Sequence, residues 1–129
     1  QIYIKYINSN KIEASVVNIG SIVGKLGFSD LSGYASTKSA LEGLTKSLSI
    51  DFAANNSRIN IIHPGFTKTS FYKNFKKNLK LYNWTLSRTP LNRWGESKDV
   101  SNLIIFLLSD YSQYITGESI AIDGGWINT

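Results

Sequence analysis

The chain has 129 residues and 42% hydrophobic side chains, which is enough for one folded domain or part of one. It has no cysteine, so disulfides, thiolate metal sites and cysteine nucleophiles are excluded, and the single histidine, His63, cannot hold a metal ion alone. We expect a cytoplasmic protein with no bound metal, and no apolar run approaches the ~20 residues of a membrane span. The net charge is +5, and no acidic residue occurs between Asp51 and Glu96.

The first half of the chain predicts a strand, a helix and a second strand. The β-branched run Ser15–Ile19 predicts a buried strand. Apolar or small residues at helical spacing predict a helix over about residues 32–54. The next strand is expected at residues 59–62, before Pro64 and Gly65 end it. The expected apolar stripe of the helix consists of Ala40, Leu41, Leu44, Leu48 and Phe52.

The second half begins with a long segment of mixed composition. Residues 67–94 combine lysines with aromatic side chains, and a loop-like insertion of this length is usually functional. We predict that residues 67–94 form a substrate-binding lid. A helix is expected to start at Ser97 with Asp99 in its first turn, and Ser119–Ile122 is predicted as the last strand. The aromatic side chains of the segment include Phe71, Tyr72, Phe75, Tyr82 and Trp84.

The order of these elements indicates the fold class. Strands that alternate with helices and are apolar on both faces predict a parallel α/β sheet with right-handed crossovers. The sequence contains no internal repeat and no low-complexity tract. We therefore interpret residues 1–129 as a single α/β domain.

Three side chains are suited to acid–base chemistry on a carbonyl group: Ser21, Tyr34 and Lys38. Ser21 follows the first predicted strand, at the end where ligands bind in open α/β sheets. Tyr34 and Lys38 lie four residues apart in the predicted helix, so that the phenol and the ammonium share one face. A neighbouring ammonium favours the phenolate and makes the phenol a usable acid or base. Ser21 can hydrogen-bond a carbonyl oxygen and hold it against the phenol.

The segments around these residues resemble the short-chain dehydrogenase/reductase superfamily over nearly all 129 residues. Within that superfamily the chain looks like 3-oxoacyl-(acyl carrier protein) reductases and gluconate 5-dehydrogenases. The resemblance implies the carboxy-terminal part of a Rossmann-type doubly wound parallel sheet, with the front nucleotide-binding half missing from this chain. The matching segments are SVVNIGSIVG, GYASTKSALEGLTKSLSIDFA, RINIIHPGFTKT and RTPLNRWGESKDVSNLIIFLLSDYSQYITGESIAIDGGW.

The same resemblance implies roles for the candidate residues and a cofactor, NAD or NADP. Tyr34 is implied as the general acid/base, Lys38 as its partner and as a ligand of the nicotinamide ribose, and Ser21 as the anchor of the substrate carbonyl. His63 is interpreted as structural rather than catalytic. The implied cofactor-binding residues are Tyr34, Lys38, Pro64, Gly65, Thr67 and Thr69.

The expected activity is hydride transfer between the nicotinamide and a small carbonyl or alcohol substrate. The stretch between Asp51 and Glu96, which has basic but no acidic residues, either covers a solvated helical face or attracts an anion. Sugar acids and thioesters of an acidic carrier protein therefore both stay open as substrates. We expect a homo-oligomer, either a dimer or a tetramer, and no binding to nucleic acid or membranes. The alternative is a truncated, non-catalytic remnant that associates with other chains, because a missing partner strand leaves the edge of Ser15–Ile19 bare.

Overall fold

A computed structural model describes residues 2–70 and 72–129 of the chain. Phe71 was predicted to be one of the aromatic side chains of the lid, and it lies outside the described residues. Short 3-10 turns cover Ile22–Gly24, Asp110–Ser112 and Trp126–Asn128. In chain order the helices and strands are α1 (Ile2–Asn10), β1 (Ser15–Ile19), α2 (Ser32–Ala53), β2 (Arg58–Pro64), α3 (Tyr72–Phe75), α4 (Leu79–Ser87), α5 (Ser97–Leu108) and β3 (Ser119–Ile122).

The strands form one parallel sheet in the order β1-β2-β3. Val16 of β1 is paired with Ile59 of β2, and Ile62 of β2 is paired with Ile120 of β3. The predicted parallel α/β sheet is thereby confirmed, and β2 extends beyond the predicted residues 59–62 at both ends. Within the described residues β1 pairs with β2 alone, so its other edge is open, as expected.

Helices cover both faces of the sheet. On one face, the Asn18 amide of β1 donates a 2.9 Å hydrogen bond to the Thr45 hydroxyl of α2. On the other face, the Leu107 carbonyl of α5 accepts hydrogen bonds of 2.9 Å from the Ser15 hydroxyl and from the Arg58 guanidinium. Successive strand residues point to opposite faces, and the fold therefore has the helix–sheet–helix layers of a doubly wound α/β domain.

The core lies between α1, α2 and the sheet. Ile7, Phe52 and Ile59 contact one another and are each at most 2% exposed. Full burial of such a side chain stabilises a fold by roughly 1.5–3 kcal/mol. α1 has no counterpart among the predicted elements, yet it supplies one of these three core side chains.

The apolar stripe predicted for α2 is partly wrong. Leu44 is 51% exposed and Ala40 is also exposed, so neither faces the sheet. Thr45 is fully buried in their place, because its hydroxyl donates to the Leu41 carbonyl at 2.8 Å and accepts from Asn18. The side chains on the sheet-facing stripe are Leu41, Thr45, Leu48 and Phe52.

The segment predicted as a loop-like insertion contains two short helices joined by turns. Residues 67–94 contain α3 and α4, and the Asn78 side chain caps α4 by accepting from the Leu81 amide at 3.1 Å. The predicted start of α5 at Ser97 is confirmed, with Asp99 in its first turn. None of the helices in the described part of the chain combines the length and the apolar character needed to cross a bilayer.

Candidate active site

The carboxyl ends of β1 and β2 open into a cleft of about 400 Å³. Parallel α/β sheets bind their ligands at this edge. Every site residue predicted from the sequence lines the cleft: Ser21, Tyr34, Lys38, Pro64, Gly65, Thr67 and Thr69. The remaining lining residues are Ile19, Gly20, Phe66, Phe75 and Trp94.

Ser21 lies in the turn that follows β1. Its backbone is extended (φ -166°, ψ 151°), and its hydroxyl oxygen caps the turn Ile22–Gly24 by accepting from the Val23 amide at 3.2 Å. The residue is only 7% exposed. A serine hydroxyl that accepts one hydrogen bond still has its own proton to donate. Ser21 is therefore placed to donate to a polar atom in the cleft.

Gly24 allows the Ser21 turn to pack directly on α2. A Cβ atom at position 24 would lie 2.8 Å from the Lys38 Cβ and 3.0 Å from the Lys38 backbone carbon. The Ser39 hydroxyl also donates to the Gly24 carbonyl at 2.6 Å. This close approach fixes the position of Ser21 relative to the helix that carries Tyr34 and Lys38.

Tyr34 and Lys38 share the face of α2 that borders the cleft. The Lys38 Nζ lies 5.7 Å from the centroid of the Tyr34 ring. The same ammonium donates a 2.8 Å hydrogen bond to the carbonyl of Ile19, the last residue of β1. The sheet thus holds a positive charge beside a phenol that is 48% exposed.

The opposite wall of the cleft follows β2. The Gly65 amide donates to the Ile122 carbonyl at 3.1 Å, which extends the pairing of β2 with β3. A Cβ atom at position 65 would lie 2.7 Å from the Asp123 Cβ, so this wall has no room for a side chain. Thr67 donates from its hydroxyl to the Gly65 carbonyl at 3.1 Å and forms a bridge with Gly95.

Aromatic side chains from the predicted lid complete the cleft. The Trp94 ring lies 5.2 Å from the Phe66 ring and 5.0 Å from the Phe75 ring, measured between centroids. Trp94 is 3% exposed, and its indole nitrogen donates to the Thr85 hydroxyl of α4 at 2.8 Å. α4 is thereby anchored to the cleft wall. Phe66 and Trp94 were not among the predicted site residues, although each directly adjoins a glycine, Gly65 or Gly95.

His63 lies beneath the cleft and is fully buried. Its Nδ1 is 2.9 Å from the Ser21 carbonyl oxygen, and its Nε2 is 3.3 Å from a Glu42 carboxylate oxygen. Burial lowers the pKa of His63, and the charges of Lys25 and Lys38 act in the same direction. Among the described side chains, no three of the types His, Cys, Asp and Glu are grouped closely enough to hold a metal ion.

The parallel α/β sheet and the cleft with Ser, Tyr and Lys side chains agree with what the resemblance to the short-chain dehydrogenase/reductase superfamily implies. The family model described as enoyl-(acyl carrier protein) reductase matches residues 2–127. The chain therefore belongs to this family of short-chain dehydrogenases/reductases, and the predicted resemblance is confirmed.

Individual relatives agree with this assignment. The 3-oxoacyl-[acyl-carrier-protein] reductase FabG of Buchnera aphidicola subsp. Schizaphis graminum is 40% identical over 114 residues, which cover 88% of this chain and 46% of that protein. A structure of 4-hydroxyisoleucine dehydrogenase complexed with NADH aligns with a TM-score of 0.93 and 34% identity, and covers 98% of this chain and 52% of that chain.

A gluconate 5-dehydrogenase from Burkholderia cenocepacia, in complex with NADP and tartrate, aligns with a TM-score of 0.90 and 27% identity. That alignment covers 97% of this chain and 49% of the dehydrogenase. The chain thus spans about half the length of the relatives it matches. Both groups of reductases named by the sequence resemblance are represented among the relatives.

Proposed function

We propose that the protein is an NAD(P)-dependent oxidoreductase that transfers hydride between a nicotinamide and a carbonyl or alcohol substrate. The observation that carries the proposal is the shared cleft, in which a hydroxyl, a phenol and an ammonium meet at the carboxyl ends of β1 and β2. Membership of the family supports it, as do the relatives that are complexed with NADH or NADP.

Each of the three polar side chains has one role in reduction. Tyr34 donates its proton to the carbonyl oxygen as negative charge develops there. Lys38 stabilises the phenolate that remains, since its ammonium is held beside the ring by the Ile19 carbonyl. Ser21 hydrogen-bonds the same substrate oxygen and orients it toward Tyr34. The nicotinamide, when bound, supplies or accepts the hydride.

The walls of the cleft fit a nicotinamide and its ribose. Gly65 presents bare backbone on one wall, where the Asp123 side chain fills the space behind it. Lys38 has three N–H donors, and the Ile19 carbonyl takes one, so the ammonium can also bind ribose hydroxyls. The residues that would hold NAD or NADP are Tyr34, Lys38, Pro64, Gly65, Thr67 and Thr69.

We further propose that residues 67–94 are the substrate-binding lid of a cytoplasmic homo-oligomer. Phe75 of α3 lines the cleft, and Trp94 joins the cleft to α4. The lysines of this segment suit an anionic substrate or partner. The absence of cysteine fits a reducing compartment, and the open edge of β1 fits association with further protein.

Two substrate classes follow from the relatives. The likeness to the carrier-protein reductase supports an acyl thioester, and the likeness to gluconate 5-dehydrogenase supports a sugar acid. Turnover of acetoacetyl thioester and of ketogluconate by the catalytically active protein separates them. A kcat/KM at least tenfold higher for one compound would assign the class.

The direct test of the proposed function is a fluorescence titration of the purified chain with NADH and NADPH. Saturable binding that weakens in Lys38→Ala and in Tyr34→Phe supports a nicotinamide site in the cleft. Lys98→Ala is the matched control, because it removes an equal charge from the exposed side of α5. A folded chain that binds neither nucleotide would instead favour the alternative of a non-catalytic remnant.

A further inference from the structure

Three elements meet beneath the Ser21 turn through a single imidazole ring. His63 comes from β2, Glu42 from α2 and Ser119 from β3. The His63 Nε2 lies 3.0 Å from the Ser119 hydroxyl and 3.3 Å from the Glu42 carboxylate. None of the roles proposed above uses this ring, although it is fully buried directly below the cleft.

The other nitrogen of the ring contacts the backbone of Ser21. The His63 Nδ1 lies 2.9 Å from the Ser21 carbonyl oxygen and 3.3 Å from the Ser21 amide nitrogen. Gly20 leaves room for this contact, because a Cβ atom there would lie 2.6 Å from the Nδ1 atom. The imidazole thus fills the space under the peptide groups on both sides of Ser21.

Glu42 is itself held in place on the far side of the ring. Its carboxylate forms ion pairs with Lys46 at 3.0 Å and with Lys25 at 3.4 Å. Lys25 directly follows the turn Ile22–Gly24 that Ser21 caps. The carboxylate therefore ties the ring, α2 and the end of the Ser21 turn together.

We propose that His63, oriented by Glu42 and Ser119, is the positioning residue that fixes the Ser21 hydroxyl in the cleft. The inference rests on the proposed role of Ser21 as the anchor of the substrate carbonyl. The turn that carries Ser21 is short and capped by Ser21 itself, so a shift of its backbone moves the hydroxyl directly. Misplacement of a catalytic group by about 1 Å can reduce a rate by about a hundredfold.

Two amide substitutions separate the two ends of the ring. An asparagine amide reaches roughly the place of Nδ1, whereas a glutamine amide reaches roughly the place of Nε2, and each supplies both a donor and an acceptor. His63→Asn is expected to keep the contact with Ser21 and to lower kcat less than His63→Gln does, although it gives up the Nε2 contacts with Glu42 and Ser119. His63→Gln is expected to lose that contact and to lower kcat by between about tenfold and a hundredfold. Equal effects of the two substitutions would overturn the proposal.

A double-mutant cycle in the catalytically active protein tests whether His63 acts through Ser21. In a Ser21→Ala background, His63→Gln is expected to change kcat by less than about twofold, because there is no hydroxyl left to position. Nicotinamide affinity, which depends on Tyr34 and Lys38, is expected to stay unchanged in His63→Gln. A further loss of kcat as large as in the parent protein would overturn the positioning role while leaving Ser21 as the anchor.

The same cycle distinguishes failure of the proposed function from failure of this inference. If Ser21→Ala alone leaves kcat unchanged, Ser21 is not the anchor and the positioning role of His63 falls with it, whereas the absence of any hydride transfer by the parent protein would overturn the proposed function itself. If the His63 variants do not fold, Glu42→Gln replaces them, because glutamine keeps the size of the side chain and removes only its charge beside His63. Glu42→Gln is expected to lower kcat in the parent protein but not in the Ser21→Ala background. A loss of kcat that persists in the Ser21→Ala background would contradict the positioning role.

Discussion

The Lys38 ammonium donates a 2.8 Å hydrogen bond to the carbonyl oxygen of Ile19, which joins α2 to the last residue of β1. The sheet therefore sets the position of the ammonium, and the helix sets the position of the phenol four residues earlier. Neither element alone fixes the distance of 5.7 Å between the Lys38 Nζ and the Tyr34 ring. The proposed acid–base pair thus depends on the packing of α2 against the end of β1.

Lys38→Arg tests this dependence, because it keeps the charge and changes the shape. A planar guanidinium cannot replace a compact ammonium between the Ile19 carbonyl and the Tyr34 ring. We expect nicotinamide affinity to fall by about tenfold, which corresponds to about 1.4 kcal/mol. Fluorescence titration measures the affinity, with Lys98→Arg on the exposed side of α5 as the control. Unchanged affinity in Lys38→Arg would show that charge alone is needed.

Gly24→Ala is expected to destabilise the fold. The added methyl group would lie 2.8 Å from the Lys38 Cβ, so the Ser21 turn must move away from α2. Such overpacking costs about 1–3 kcal/mol, which urea unfolding measures. Gly27→Ala is the matched control, because no atom lies within 4 Å of a Cβ there. Equal unfolding midpoints for the two variants would argue against tight packing of the turn.

The sequence predicts the parts of this fold that depend on local patterns. The strands Ser15–Ile19 and Ser119–Ile122 are short apolar runs bounded by turn residues, and both predictions match the structure. The helix of residues 32–54 is long and periodic, and only its last residue differs. The site residues predicted by spacing and family resemblance all line one cleft, because parallel strands end at the same edge.

What the sequence does not predict depends on contacts between distant residues. Thr45 replaces Leu44 on the buried face of α2 only because Asn18 and the Leu41 carbonyl satisfy its hydroxyl. The lid helices lack a single apolar period, since Tyr72, Phe75 and Tyr82 pack around Trp94 rather than along one stripe. The contact of His63 with Ser21 joins residues far apart in the chain, and no local pattern marks it.

Protonation of Asp99 at acid pH is expected to decrease the stability of the fold. Hydrogen bonds from Arg93 and from the Glu96 amide lower the pKa of Asp99 from 3.8 to about 2. The pKa of Asp99 is lower in the folded state than in the unfolded state. The ionised carboxylate therefore contributes fully to the stability of the fold above about pH 4, and this contribution is lost as the pH falls through about 2. Asp99→Asn is therefore expected to lower the urea midpoint at pH 6 and to have little effect at pH 2.

Arg93→Leu is the companion variant for this pH dependence, because it removes the main partner of the carboxylate. In that background the difference between Asp and Asn at position 99 is expected to shrink at pH 6. A destabilisation by Asp99→Asn that stays constant from pH 6 to pH 2 would show that the carboxylate charge is not responsible.

The open edge of β1 is expected to make the purified 129-residue chain associate with itself. The Gly20 amide donates to Ile62 and the Ala14 carbonyl accepts from Arg58, so alternate residues of the strand bond to β2. By this alternation the Val17 amide points to the open edge, where it can pair with another chain. Ile19, at the end of the same edge, is 42% exposed.

Proline substitutions on this strand distinguish association through strand pairing at the β1 edge from nonspecific association. Val17→Pro removes an outward N–H and leaves the N–H groups that bond to β2, and we expect it to reduce self-association while the sheet persists. Val16→Pro removes an N–H that bonds to β2, and we expect it to unfold the chain. Size-exclusion chromatography with light scattering measures the mass, and circular dichroism checks the fold. If Val17→Pro remains as associated as the parent chain, or if the parent chain is a monomer, the β1 edge is not the surface through which this protein assembles.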